Sequence, residues 1–124
     1  MKMYEVLDLQ NLYNSIAHIK LPLKTTYKFA RLMRRAEEEI TFFHTKFREI
    51  IDEYGIKEDG KPKLTSDGQS VMIVPGKETE CEAKLQELRN LDVEINDIKF
   101  TIDELQSIDI SIQELSCLMS LIEE

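Results

Sequence analysis

Residues 25–54 read TTYKFARLMRRAEEEITFFHTKFREIIDEY, with no glycine or proline among them. Within this stretch Phe29, Met33, Ala36, Ile40, Phe43, Phe47, Ile50 and Tyr54 follow one another at intervals of 4, 3, 4, 3, 4, 3 and 4. That is a heptad seam, the pattern of a helix whose apolar stripe faces a partner. The polar faces carry Arg34/Glu38, Arg35/Glu39 and Arg48/Asp52, each an i,i+4 pair adding about 0.2–0.5 kcal/mol. Pro22 breaks the preceding chain and suits a first helical turn. Gly55 follows directly, and glycine commonly ends a helix by taking a positive φ. One long helix over 23–54 is expected.

A seam of roughly 40 Å needs a cover of similar length. Residues 77–92, KETECEAKLQELRNLD, offer Cys81, Leu85, Leu88 and then Leu91 or Asp92 at helical spacing, over only half that length. Either the other helices complete the cover or a second copy does. The second option is favoured, which makes the eight seam residues the candidate self-association surface and predicts a dimer or larger assembly.

The remaining chain alternates between periods. Residues 4–19 place Leu9, Leu12, Tyr13, Ile16 and Ala17 on one helical face, with Asp8 as a cap. Residues 93–102 switch to period two, through Val93 and Ile95 and then Ile98, Phe100 and Ile102, as a strand with a bend at Asn96-Asp97. Residues 111–123 open on a capping box, Ser111 and Glu114, and set Ile112, Leu115, Leu118, Met119 and Ile122 on one face. A second box, Thr101 and Glu104, predicts a helical turn near Leu105. The expected fold class is α+β. A long heptad-patterned helix is joined by shorter packing helices and a small antiparallel β element, all in a single domain over 1–124.

The central segment 57–74, KEDGKPKLTSDGQSVMIV, could be a ligand loop or a connector. A calcium loop counted from Asp59 would place Lys61, Lys63 and Thr65 where oxygen ligands belong. A phosphate loop needs Gly-Lys-Ser/Thr at a helix start, and Gly60-Lys61-Pro62 leads toward strand. Two Asp-Gly turns framing a projecting hairpin remain, with Asp59, Lys61, Lys63 and Asp67 as candidate partner-binding residues. A second candidate surface is the stripe Lys24, Lys28, Arg31 and Arg35, spaced 4, 3, 4 along the long helix with Arg34 alongside. It could dock an acidic partner, or simply be a solvated face neutralised by Glu37–Glu39.

Composition narrows the function classes. The net charge of −8 and pI near 4.8 make direct nucleic-acid binding unexpected. No window is apolar enough to span a membrane. The start, MKMYEVLDLQNL, has acids where a signal peptide is apolar, so the cytoplasm is expected. Cys81 and Cys117 form no Cys-x-x-Cys pair, and His18 and His44 lack nucleophile or carboxylate partners at motif spacing. No catalytic residue, cofactor or metal ligand is assigned, and enzyme activity is not expected.

The order of features from LPLKTTYKFARLMRRAEEEITFFHTKFREIIDEYG, through KLQELRNLDVEI and DIKFTIDEL, to LSCLMSLIEE resembles a family of small proteins encoded by tailed phages and prophages of low-GC Gram-positive bacteria, a domain of unknown function. The resemblance runs from about residue 9 to the end, and SVMIVPGKETEC departs from it. It implies a phage context and no catalytic residues to carry over. The expected function is protein–protein association with a phage or host protein, in a virion-associated or assembly-accessory role, in the host cytoplasm or the virion. The alternatives are an inhibitor of host defence, an anti-CRISPR for example, whose acidic surface mimics nucleic acid, and a small-molecule sponge.

Overall fold

The computed structural model of the chain describes residues 1–95 and 97–123. Its elements are α1 (Met3–Ile16), α2 (Leu23–Tyr54), β1 (Lys57–Glu58), β2 (Lys61–Pro62), α3 (Glu78–Arg89), α4 (Ile102–Leu105), α5 (Ile112–Leu118) and a 3₁₀ turn (Met119–Leu121). This is an α+β fold, with one long helix, shorter helices and a two-stranded antiparallel sheet. The residues cluster into two compact units, Met1–Thr41 with Asp92–Glu124, and Phe42–Leu91. The expectation from sequence is a single domain over 1–124. The 32 residues of α2 amount to about 48 Å of helix, longer than one small core spans, and its two halves contribute to different units.

In the first unit α1 buries Met3, Val6, Leu9, Leu12 and Ile16, while Tyr13 and Ala17 are exposed. The buried stripe is therefore rotated from the expected one. The helix also begins earlier than Asp8 as a cap would require. Glu5 caps it instead, its carboxylate accepting the Lys2 backbone N–H at 2.9 Å, and Asp8 sits exposed within the helix. From α2 this unit buries Phe29, Leu32, Ala36 and Ile40. Leu32 lies off the 4–3 seam, because the face that a helix buries against several elements is wider than a strict seam. Phe29 packs on the fully buried Phe100, ring centroids 4.6 Å apart, a contact whose loss by truncation costs about 3–5 kcal/mol.

The segment expected as a strand over 93–102 buries Val93 and Ile95, then Ile98 and Phe100, at alternate positions, but Ile102, expected to face inward with them, is 58% exposed and begins α4. The described residues of this segment make no ladder. Lys2 bridges Asp92, and Phe100 bridges Ile122, as isolated pairs. Phe100 N–H donates to the Leu121 carbonyl and Glu123 N–H to the Phe100 carbonyl, both at 2.7 Å. The strands among the described residues, β1 and β2, pair with each other. Of the expected Asn96-Asp97 bend, Asn96 lies outside the described residues. Both capping boxes form, at Thr101/Glu104 and Ser111/Glu114. Along α5 and the 3₁₀ turn, Cys117, Leu118 and Leu121 are buried, while Ile112, at 88% exposure, and Met119 face outward.

The second unit joins the end of α2 to α3 through the 55–74 segment. Tyr54, Cys81 and Leu85 form its buried centre, with Phe47, Ile50, Ile51 and Ile73 packed around them. Lys84 reaches Glu53 at 3.2 Å and lies 5.2 Å over the Tyr54 ring. Gly55 ends α2 without a positive φ, contrary to the expected reason for it. A Cβ there would lie 2.7 Å from the Ile51 carbonyl oxygen and 2.8 Å from Val71 Cγ1. The carbonyl of the last turn of α2 and the Val71 side chain of the returning arm together exclude a side chain.

Of the eight seam residues, Phe29, Ala36, Ile40, Phe43 and Tyr54 are buried within the single chain, and Met33, Phe47 and Ile50 are half-buried. A second copy is expected on the premise that one chain cannot cover the seam. At the five buried positions that premise does not hold.

Candidate interaction surfaces

The basic stripe lies in the first unit, and the acidic segment after residue 92 meets it. Lys28 Nζ lies 2.7 Å from Glu104 Oε1 and donates to the Lys99 carbonyl at 2.7 Å. Arg35 donates to Asp97 Oδ2 at 2.8 Å and to the Glu94 carbonyl at 3.1 Å. Arg31 stands 4.0 Å from the same Asp97 oxygen and 5.8 Å over the Tyr27 ring. Three cations of the proposed docking strip thus hold the chain's own 94–104 segment. Lys24 and Arg34 are exposed, and Arg34 lines a groove of about 510 Å³ with Tyr27, Arg31 and Asp97.

The Lys28–Glu104 pair differs from the exposed pairs, which contribute about 0–1 kcal/mol each. Its side chains are 22% and 12% exposed. Glu104 Oε1 also accepts the Thr101 backbone N–H at 2.9 Å, closing the α4 capping box. Oε2 is buried with no hydrogen-bond partner among the described residues. The Lys28 ammonium, and after it the Thr101 backbone, hold the Glu104 carboxyl below its usual value.

The 55–74 segment is more than a hairpin. Asp59 and Gly60 both take positive φ, at 54° and 77°, and form the two-residue turn between β1 and β2 that Asp-Gly favours. The chain then returns a third time. Ile56 N–H donates to the Met72 carbonyl, Met72 N–H to Lys63, and Lys63 N–H to Ile56, at 2.7–2.8 Å. The three segments close a triangle of backbone hydrogen bonds, so each pairs with both others and unpaired edge is kept short. Val74 N–H bonds the Tyr54 carbonyl at 2.9 Å, anchoring the arm to the end of α2. Asp67 organises the outer turn. It accepts from the Thr65 hydroxyl and from Gln69 N–H, the latter at 3.1 Å, and these two bonds, the hydroxyl first, lower its pKa. Asp59 and Asp67 therefore shape turns, while Lys61 and Lys63 project exposed side chains from the arm.

Between the arm, the second half of α2 and α3 opens a pocket of about 410 Å³. Phe47, Ile51, Val71, Ile73, Cys81 and Leu85 give it apolar walls, and Leu64, 53% exposed, stands among its lining residues. Phe47 belongs to the expected self-association seam, and Leu64, Val71 and Ile73 fall within the 57–74 candidate segment, beside but not among its four charged candidates. The partial signals were the apolar run Val71–Val74 and the Cys81/Leu85 spacing of α3. Neither periodicity predicts that three elements leave a gap where they meet.

Both thiols are buried and free. Burial first, then Glu82 and Glu53, raises the Cys81 pKa. Cys117 is pushed up to about 11, by burial first and then Asp8, and its thiol donates to the Glu114 carbonyl at 2.9 Å. A nucleophilic cysteine needs the opposite shift. His18 and His44 are exposed, and His44 stands edge-on to Phe43 at 5.6 Å. No helix among the described residues is long and apolar enough to cross a membrane.

Comparison of the chain with family models, with curated proteins and with solved structures finds no match.

Proposed function

We propose that this chain is a non-enzymatic protein–protein interaction protein, phage-encoded as the sequence resemblance implies, with a virion-associated or assembly-accessory role. The apolar pocket beside the 55–74 arm carries the reading. It is a concave site whose walls are aliphatic and aromatic, of the kind that accepts side chains of a partner. The arm beside it keeps its backbone groups paired, which suits a rigid element that presents a surface. The upward shift of both thiols supports a binding role over nucleophilic chemistry. Self-association through the long-helix seam forms no part of the proposal, because most of that seam is already covered.

Mass spectrometry of purified particles and of assembly intermediates, from a phage that encodes the chain, tests the role. The chain is expected in one of the two fractions in amounts comparable to a structural protein. Absence from both removes the assembly reading.

A second reading rests on the charge of −8, which suits an inhibitor that occupies a basic groove of a host defence protein. Expression of the chain alone would then relieve phage restriction in hosts carrying such a system, and unchanged restriction across a panel of them counts against it.

A further inference from the structure

The pocket beside the arm has a polar rim of one sign. Glu78 and Glu82 stand on its α3 side and Gln69 and Ser70 on its arm side, and no lysine or arginine lines it. Glu78 Oε2 accepts the Gly76 N–H at 2.9 Å. Glu82 Oε1 accepts the Gln86 amide at 2.9 Å and lies 3.7 Å from the Arg89 guanidinium. Neither carboxylate has a cation closer than that among the described residues. Burial first, and then Glu82 of the rim, raises the pKa of the Cys81 thiol in the wall. Beside apolar walls a cation at the rim is attracted more strongly than in open water.

We propose that this pocket docks a peptide segment of a partner protein in which an aromatic or branched apolar anchor stands beside a lysine or arginine. The anchor fills the space between Phe47, Val71 and Leu85, and the neighbouring cation reaches Glu78 and Glu82. The inference rests on the protein-binding reading above and names the chemistry of the partner at that site.

A random-peptide display library selected on the full chain tests it. The expected winners carry an apolar residue next to Lys or Arg. Synthetic copies should lose about tenfold in affinity, near 1.4 kcal/mol, to Ser70→Trp or Gln69→Trp, which fill the mouth from exposed positions. They should lose about threefold or more to Glu78→Gln with Glu82→Gln, and weaken as salt rises from about 50 to about 500 mM. Unchanged circular dichroism and urea midpoints establish that the variants fold. Winners indifferent to both tryptophan variants place the binding elsewhere and overturn the proposal, while the chain remains a protein binder. Winners blocked by tryptophan but lacking a cation, and indifferent to the glutamine changes, overturn the charge assignment. No enrichment over an unrelated protein overturns this inference together with the binding reading.

Discussion

At the scale of single residues, Gly55 shows how a correct expectation can have the wrong cause. A glycine after a long apolar-periodic run marks a helix end, and α2 does end there. The backbone conformation is nonetheless one that other residues adopt, and space is what excludes a side chain. Gly55→Ala would drive its methyl against the Ile51 carbonyl and Val71, so it should cost about 2–3 kcal/mol by urea denaturation. Gly60 takes a positive φ in open space, and Gly60→Ala should cost about 1 kcal/mol, for backbone strain alone. Equal costs would show that the last turn of α2 and the arm at Val71 both yield to the methyl. The thiols follow the same logic: spacing places them in no Cys-x-x-Cys pair, and only the fold shows that both are buried and free, with burial ahead of nearby carboxylates raising their pKa.

At the scale of elements, the basic stripe is the clearest case. Its 4, 3, 4 spacing was legible, and so was the surplus of acids after residue 92. That one answers the other depends on the chain returning to α2, which no local pattern encodes. The Lys28–Glu104 contact that results has a pH signature. Glu104 ionises more readily when folded than its ordinary value of 4.5. Its contribution is therefore fully present above that value and lost as pH falls through the lower folded one. Glu104→Gln should lower the urea midpoint at pH 7 and flatten the loss of stability between about pH 5 and pH 3. An acid limb as steep as in the parent protein would mean that other carboxylates govern it. The capping boxes, by contrast, needed no tertiary information: Thr101/Glu104 and Ser111/Glu114 are self-contained motifs of four residues, and both form.

At the scale of the whole molecule, the seam decides between two assemblies. With Phe29, Ala36, Ile40, Phe43 and Tyr54 covered by their own chain, light scattering at tens of micromolar should return a monomer mass, about 14.5 kDa. A dimer mass would restore the seam, or another apolar surface, as a self-association site. The sequence by itself determined the α+β class, the long helix and its limits, the capping boxes, the Asp59-Gly60 turn and the inward alternation around Phe100. These follow from periodicity, caps and turn chemistry, which act over a few residues. Only the tertiary structure decided which face of α1 is buried, that the described residues of 93–102 form isolated bridges in place of a ladder, and that three cations of the basic stripe are answered from within. It also decided that three returns of the 55–74 chain close on one another beside a pocket. Each of these depends on which distant segments meet, and a local pattern states a segment's need for cover without naming what supplies it.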